Sequence, residues 1–209
     1  NFASYDSDGD GYVSGKELHF VMIIAGFEES YGGYVYPCIW GHQYNLASPM
    51  LLDGVYVGTS SADGDYGGYA MFGEIHGDHP ATIGIMAHEM GHNLTWPDLY
   101  ATDGGSEGVG RWSIMGSASW NGVTNPGDTP GLPDAFLKWY QGWITPTTAL
   151  NGQTYSLDQA STTAEALILG ANPSGVNWEF TRYSGTGEYW LVENRQLNGY
   201  DAALPGCGI

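Results

Sequence analysis

His88, Glu89 and His92 stand in the pattern H-E-x-x-H. On a helix, residues i and i+4 share a face, so both imidazoles can reach one metal ion. Glu89, one step round, then lies beside an open coordination position, where its neighbour would be a water. That is the chemistry of a hydrolytic zinc site: two imidazoles hold the ion, the ion acidifies water, and the carboxylate takes the proton. A helix that merely carried two surface or core histidines would leave the glutamate between them unexplained.

Such a site needs a helix and a third ligand. Asp78-His79-Pro80 offers a cap followed by a proline near the first helical position, where a missing N–H costs nothing, and predicts a helix over 79–94. Ile83, Met86, Met90 and Leu94 recur at spacings of three and four, an apolar stripe expected to bury one face. The histidines fall on an adjacent face, turned toward a cleft. Catalytic zinc takes three protein ligands and keeps one position open. Asp98, ten residues past His88, can supply the third, and Asp103 in the same loop is its rival.

Asp98 stands at the spacing where metzincins carry their third ligand. Trp112-Ser113-Ile114-Met115-Gly116 resembles a Met-turn, in which Met115 would form an apolar floor under the metal. The run from Asp103 to Met115, then Gly116-Ser117-Ala118-Ser119-Trp120-Asn121-Gly122 and Leu191-Val192-Glu193-Asn194-Arg195-Gln196, resemble the immune inhibitor A group of secreted bacterial metallopeptidases, the M6 family. The resemblance runs in order from Asp6 to Gly208. It implies an α+β, zincin-like peptidase core with an active-site helix, a mixed sheet, long loops and a β-rich C-terminal part. It also implies the central part of a catalytic domain, cut at both ends: 1–145 with an N-terminal calcium loop, and 146–209 as the β-rich remainder. The expected partners are protein or peptide substrates, with remaining precursor segments or a larger extracellular assembly besides. Two positions depart from the family pattern. Thr95 stands where relatives place a glycine able to leave the helix in the left-handed region, and Ser117 stands where many metzincins have a tyrosine.

A second metal signal opens the chain. Asp6-Ser7-Asp8-Gly9-Asp10-Gly11-Tyr12-Val13-Ser14-Gly15-Lys16-Glu17 fits the calcium-loop pattern D-x-D-x-D-G-x5-E. Carboxylates of Asp6, Asp8, Asp10 and Glu17 take loop positions 1, 3, 5 and 12, the Tyr12 carbonyl takes 7, and Ser14 sits at 9. Only five residues precede Asp6, too few for the incoming helix of a paired EF-hand, and Leu18 to Ala25 reads as a buried strand. The loop is expected to be a Ca2+ staple on a core strand.

Five Lys and Arg against 23 Asp and Glu give a net charge of −18, a surface that repels nucleic acid and anionic lipid and suits calcium-rich extracellular surroundings. No run of eighteen apolar residues marks a membrane span. Cys38 and Cys207 are a candidate disulfide, by count alone. Strands are expected in Met50–Thr59, Ala166–Leu169 and Tyr189–Val192, a helix at Asp134–Gln141, and a glycine-rich loop at Ser60–Gly68. The leading expectation is a secreted Zn2+ endopeptidase. A non-catalytic extracellular structural or filament-forming protein, or a calcium-dependent glycan-binding module, are the competing classes.

Overall fold

The computed structural model describes residues 1–15, 17–32, 36–46, 48–57, 68–170 and 189–208. Lys16, Ile209, the 58–59 end of the expected strand pair and all of the glycine-rich loop except Gly68 lie outside them. The described residues form a mixed α+β structure of two units, Asn1–Trp96 and Pro97–Ile209. No described helix is long and apolar enough to cross a membrane.

In the first unit, strand β1 (Tyr12–Val13) runs parallel to β6 (Val55–Val57), which forms an antiparallel hairpin with β5 (Met50–Leu52). The hairpin turns on Asp53-Gly54, both at positive φ (50° and 90°), the dipeptide whose twist suits a two-residue connection. Val13, Val55 and Val57 close over this sheet with Phe2, Leu18, Phe20 and Leu52. The larger sheet has the order β3 (Cys38–Ile39), β2 (Phe20–Glu28), β7 (Tyr69–His76), β4 (His42–Tyr44). Strands β3 and β7 are parallel to β2, and β4 is antiparallel to β7.

Strand β2 forms where the apolar run predicts it, but the run is not buried: Val21 to Ala25 are exposed. Strand β7 pairs with β2 from Phe20 onward, and among the described residues β3 pairs with it at Phe27 and Glu28; apolar composition predicts the strand but not what covers its faces.

Helix α1 is the single turn Glu29–Gly32, and the metal-motif helix α2 spans Ile83–Asn93 and packs on β7 and β4. Its expected start at Asp78–Pro80 is corrected. His79–Pro80 form a short strand, β8, folded back on β7 through Gly77 at φ 57°. Thr82, extended at φ −83° and ψ 161°, is the actual N-cap residue. The expected apolar stripe is corrected too. Ile83 and Met90 are 43% and 44% exposed, and the buried face is Gly84, Ile85, His88, Glu89, Gly91 and Asn93. On that face Ile85 lies against Gly41, so close that a Cβ added to the glycine would meet it at 2.9 Å.

In the second unit, residues 97–132 hold little regular structure beyond two short 3-10 turns, Gly110–Trp112 and Ser117–Trp120. Helix α3 (Ala135–Tyr140) starts on Asp134, whose carboxylate accepts from the N–H of Phe136 and Leu137, and stops before Gly142 at φ 76°. Strand β10 (Leu167–Leu169) lies between β9 (Thr147–Thr148) and β11 (Trp190–Val192). Ala135, Ile144 and Ala166 form the buried centre with Trp139 and Leu191.

Cys38 is half-buried and Cys207 exposed, and each carries a free thiol. The Cys38 thiol points to the Glu29 carboxylate at 3.7 Å, and burial together with that carboxylate raises its pKa.

Candidate metal centre

Helix α2 places His88 and His92 one turn apart, with their rings edge-to-face at 4.8 Å between centroids. His88 and Glu89 are each 6% exposed, so the motif belongs to the packed side of the helix. The helix N-terminus is fixed from below. Thr82 donates its backbone N–H to Nδ1 of the wholly buried His76 at 3.2 Å, and its hydroxyl lies at the same distance from that nitrogen. Burial holds the His76 pKa down despite the nearby Glu28, which suits the neutral, accepting ring that this bond needs. Nothing in the sequence marks His76 for this part, because its partner is set by the β7–β8 turn.

The helix C-terminus is a Schellman turn. The N–H of Trp96 reaches the Gly91 carbonyl at 3.1 Å, and the N–H of Thr95 reaches His92 at 2.9 Å. Thr95 occupies the left-handed position at φ 67°, so the turn expected of glycine is built with a β-branched residue. The conformation costs a non-glycine residue about 1–2 kcal/mol, and glycine's extra chain entropy returns roughly 0.5–1 kcal/mol of that. Thr95→Gly is therefore expected to stabilise the fold by up to about 1 kcal/mol. A melting temperature equal to or below the parent's would show that the turn holds no such strain.

That turn also orients a candidate ligand. Nδ1 of His92 lies 2.8 Å from the Trp96 carbonyl oxygen, so the ring donates there and leaves Nε2 as the basic nitrogen. Asp98 follows two residues later. His88, His92 and Asp98 each offer one ligand atom, and these atoms all lie within 4.8 Å of one another. Two imidazoles and one carboxylate are the donor set of catalytic zinc with an open position. Asp103 is not in the group; its carboxylate accepts from the Gly105 N–H at 2.9 Å within its own turn.

The segment carrying Asp98 is pinned by the Met115 loop. Leu99 donates to the Met115 carbonyl at 2.8 Å, and Val109 donates to the Leu99 carbonyl at 2.9 Å. Met115 is fully buried. Gly108, at φ 55°, lies so close that a Cβ there would collide with the Leu99 carbonyl. Ser117 is exposed at the start of its 3-10 turn.

The N-terminal acidic loop brings Asp6, Asp8 and Asp10 into a second group with ligand atoms within 4.8 Å. Gly9 and Gly11 supply positive φ (76° and 85°) for its bends. The Gly11 carbonyl accepts from the Tyr56 N–H at 2.9 Å, while the Tyr12 N–H faces the loop and donates to Asp10 at 2.8 Å. In a strand the N–H and C=O of one residue share a side, so the Tyr12 carbonyl faces the loop as well. Glu17 is not in the group. Its carboxylate accepts from the N–H and hydroxyl of both Ser7 and Ser14, at 2.6 to 3.1 Å. Burial opposes its ionisation, but these bonds together outweigh that and lower its pKa to about 2. Their stabilisation is full above the unfolded carboxyl's range and fades as pH falls toward about 2.

Residues 1–144 match the model of the immune inhibitor A peptidase M6 catalytic domain. The chain belongs to the M6 peptidase family. The pre-pro-metalloprotease PrtV of Vibrio cholerae serotype O1 is 35% identical over 148 residues, 67% of this chain and 15% of the relative. Immune inhibitor A of Bacillus thuringiensis subsp. alesti is 33% identical over 138 residues, 62% of this chain and 19% of the relative. This M6 chain thus corresponds to under a fifth of the length of the relatives it matches. The α2 motif, Asp98 and the Met115 loop all fall inside the matched residues.

Proposed function

We propose that this chain is the zincin-like catalytic part of a secreted zinc endopeptidase, with His88, His92 and Asp98 as metal ligands and Glu89 as general base. The observation that carries the reading is the meeting of those three ligand atoms, two of them on the helix turn that also carries the buried Glu89. Membership of a peptidase family supports the reaction class. A zinc ion held there would acidify a water and polarise a peptide carbonyl. Glu89 takes the proton and returns it to the leaving amine, while the Trp96 carbonyl keeps His92 in its ligating tautomer. The left-handed Thr95 delivers the chain to Asp98 without the family's glycine, which removes one reason to read this chain as a non-catalytic relative. The test is zinc content of the purified chain together with casein hydrolysis, with and without a chelator. Stoichiometric zinc and chelator-sensitive cleavage are expected; a metal-loaded chain that cleaves nothing would favour the non-catalytic structural class.

The acidic loop is proposed as a calcium staple, with Asp6, Asp8, Asp10, the Tyr12 carbonyl, Ser14 and a re-aimed Glu17 as its ligands. The net charge of −18 and a Ca2+ requirement suit an extracellular setting. Calcium at about a hundred times its dissociation constant should stabilise the folded state by about 2.7 kcal/mol. A calcium titration of the melting temperature is expected to show this in the parent and not in Asp10→Ala. An indifferent parent, or an equal response in the variant, would reduce the loop to a solvated acidic turn.

A further inference from the structure

Arg195 lies outside the residues matched to the M6 catalytic domain, yet its side chain reaches into the loop that carries Met115. We propose that Arg195, locked by Asp201 and Glu193, is a positioning residue for the candidate metal centre, acting through the backbone of the Met115 turn. The proposal rests on the zinc reading above, and its structural half is testable without metal.

The guanidinium has five N–H donors in a fixed fork, and each has an acceptor. Nε and Nη2 meet the two oxygens of Asp201 at 2.8 and 2.6 Å. Nη1 meets Glu193 and the Trp112 carbonyl, both at 3.0 Å, and Nη2 also faces the Leu132 carbonyl at 3.4 Å. The second Glu193 oxygen holds Lys138 at 2.6 Å. Two cations and two carboxylates therefore balance, with Arg195 5% exposed and Asp201 fully buried. A buried charge cluster is tolerated when every member is paired and hydrogen-bonded, and this one uses its two spare donors on loop carbonyls.

One of those carbonyls opens the turn. Trp112 precedes Ser113, whose carbonyl accepts from Gly116 at 2.9 Å to close the turn around Met115. The Met115 carbonyl in turn holds the N–H of Leu99, the neighbour of Asp98. From Arg195 to Asp98, every step is a hydrogen bond or a short stretch of chain. Lysine could keep the charge balance but could not serve two carboxylates and two carbonyls at once. Arg195→Lys is thus the informative substitution.

The experiment compares amide hydrogen exchange and metal release in the full chain and Arg195→Lys. Exchange at Leu99 and Gly116 is expected to rise by about tenfold or more, while Gln141, at the end of α3, changes little. Zinc release should quicken by a similar factor, and kcat should fall with KM nearly unchanged. A purely structural role would raise exchange at all three amides alike, and that result overturns the proposal. So does a folded variant with parental exchange at Leu99 and Gly116, or local loosening with unchanged zinc release. If Arg195→Lys does not fold, Glu193→Gln, which weakens one arm of Arg195 along with the Lys138 contact, is read by the same comparison. A parent that binds no zinc overturns the metal reading itself, and the exchange data still show separately whether the brace exists.

Discussion

Glu89→Gln is expected to lower peptide hydrolysis by about 10²–10⁴-fold, the usual worth of a positioned general base, while zinc remains bound. Glutamine keeps the volume and one oxygen at that position but has no basic lone pair able to take a proton at neutral pH. The side chain is 6% exposed, so the change is confined to the packed side of α2 and little else touches water differently. Because Glu89 is not among the three residues whose ligand atoms converge, metal stoichiometry should match the parent. The decisive measurement pairs metal analysis with kcat on a casein-derived peptide. Parental turnover in a zinc-loaded Glu89→Gln chain would remove Glu89 from the mechanism. Loss of zinc together with turnover would instead make it a ligand or a prop for the helix, and the proposed division of roles would fail.

The centre was legible in the sequence because its donors are local. His88, His92 and Asp98 span eleven residues, and helix periodicity plus one tight turn fixes their meeting. The acidic loop was legible for the same reason, at Asp6, Asp8 and Asp10, whereas Glu17 turned to Ser7 and Ser14, partners its motif does not specify. What periodicity could not supply was the tertiary partner. Met90 and Ile83 looked like the buried stripe of α2, but the face that is buried carries Gly84, Ile85, His88 and Glu89, with Ile85 set against Gly41. His79-Pro80 looked like a helix start, and the positive-φ turn at Gly77 claimed it for a hairpin first. Val21 to Ala25 had the composition of a buried strand, but what packs on the sheet faces, not composition, decides burial. Glu193 and Arg195 alternate onto one strand face, where pairing with a loop is the ordinary expectation, but the partners themselves, Lys138, Asp201 and Trp112, are contacts that only the folded chain assembles.

Asp98→Ala is expected to weaken zinc binding by more than about 100-fold, beyond what losing an outer-shell partner costs, whereas Asp103→Ala should leave it close to the parent value. The two aspartates stand in one loop and have the same chemistry, so sequence alone leaves both open. Their surroundings separate them. Asp98 is the neighbour of Leu99, whose N–H is held by the Met115 carbonyl and whose C=O accepts from the Val109 N–H, and its carboxylate joins the imidazoles. Asp103 is exposed and spends an oxygen on the Gly105 N–H, closing a turn of its own. Removing Asp98 also leaves two neutral imidazoles to hold a dication with no anionic donor, which raises the cost of taking the ion out of water. Competition against a chromophoric chelator at neutral pH gives both affinities on one scale. Equal losses in the two variants, or a larger loss for Asp103→Ala, would reassign the third ligand. An anomalous-scattering map offers an independent check: zinc–oxygen bonds run about 2.0–2.2 Å, so a metal further than about 3 Å from both Asp98 oxygens would rule that carboxylate out.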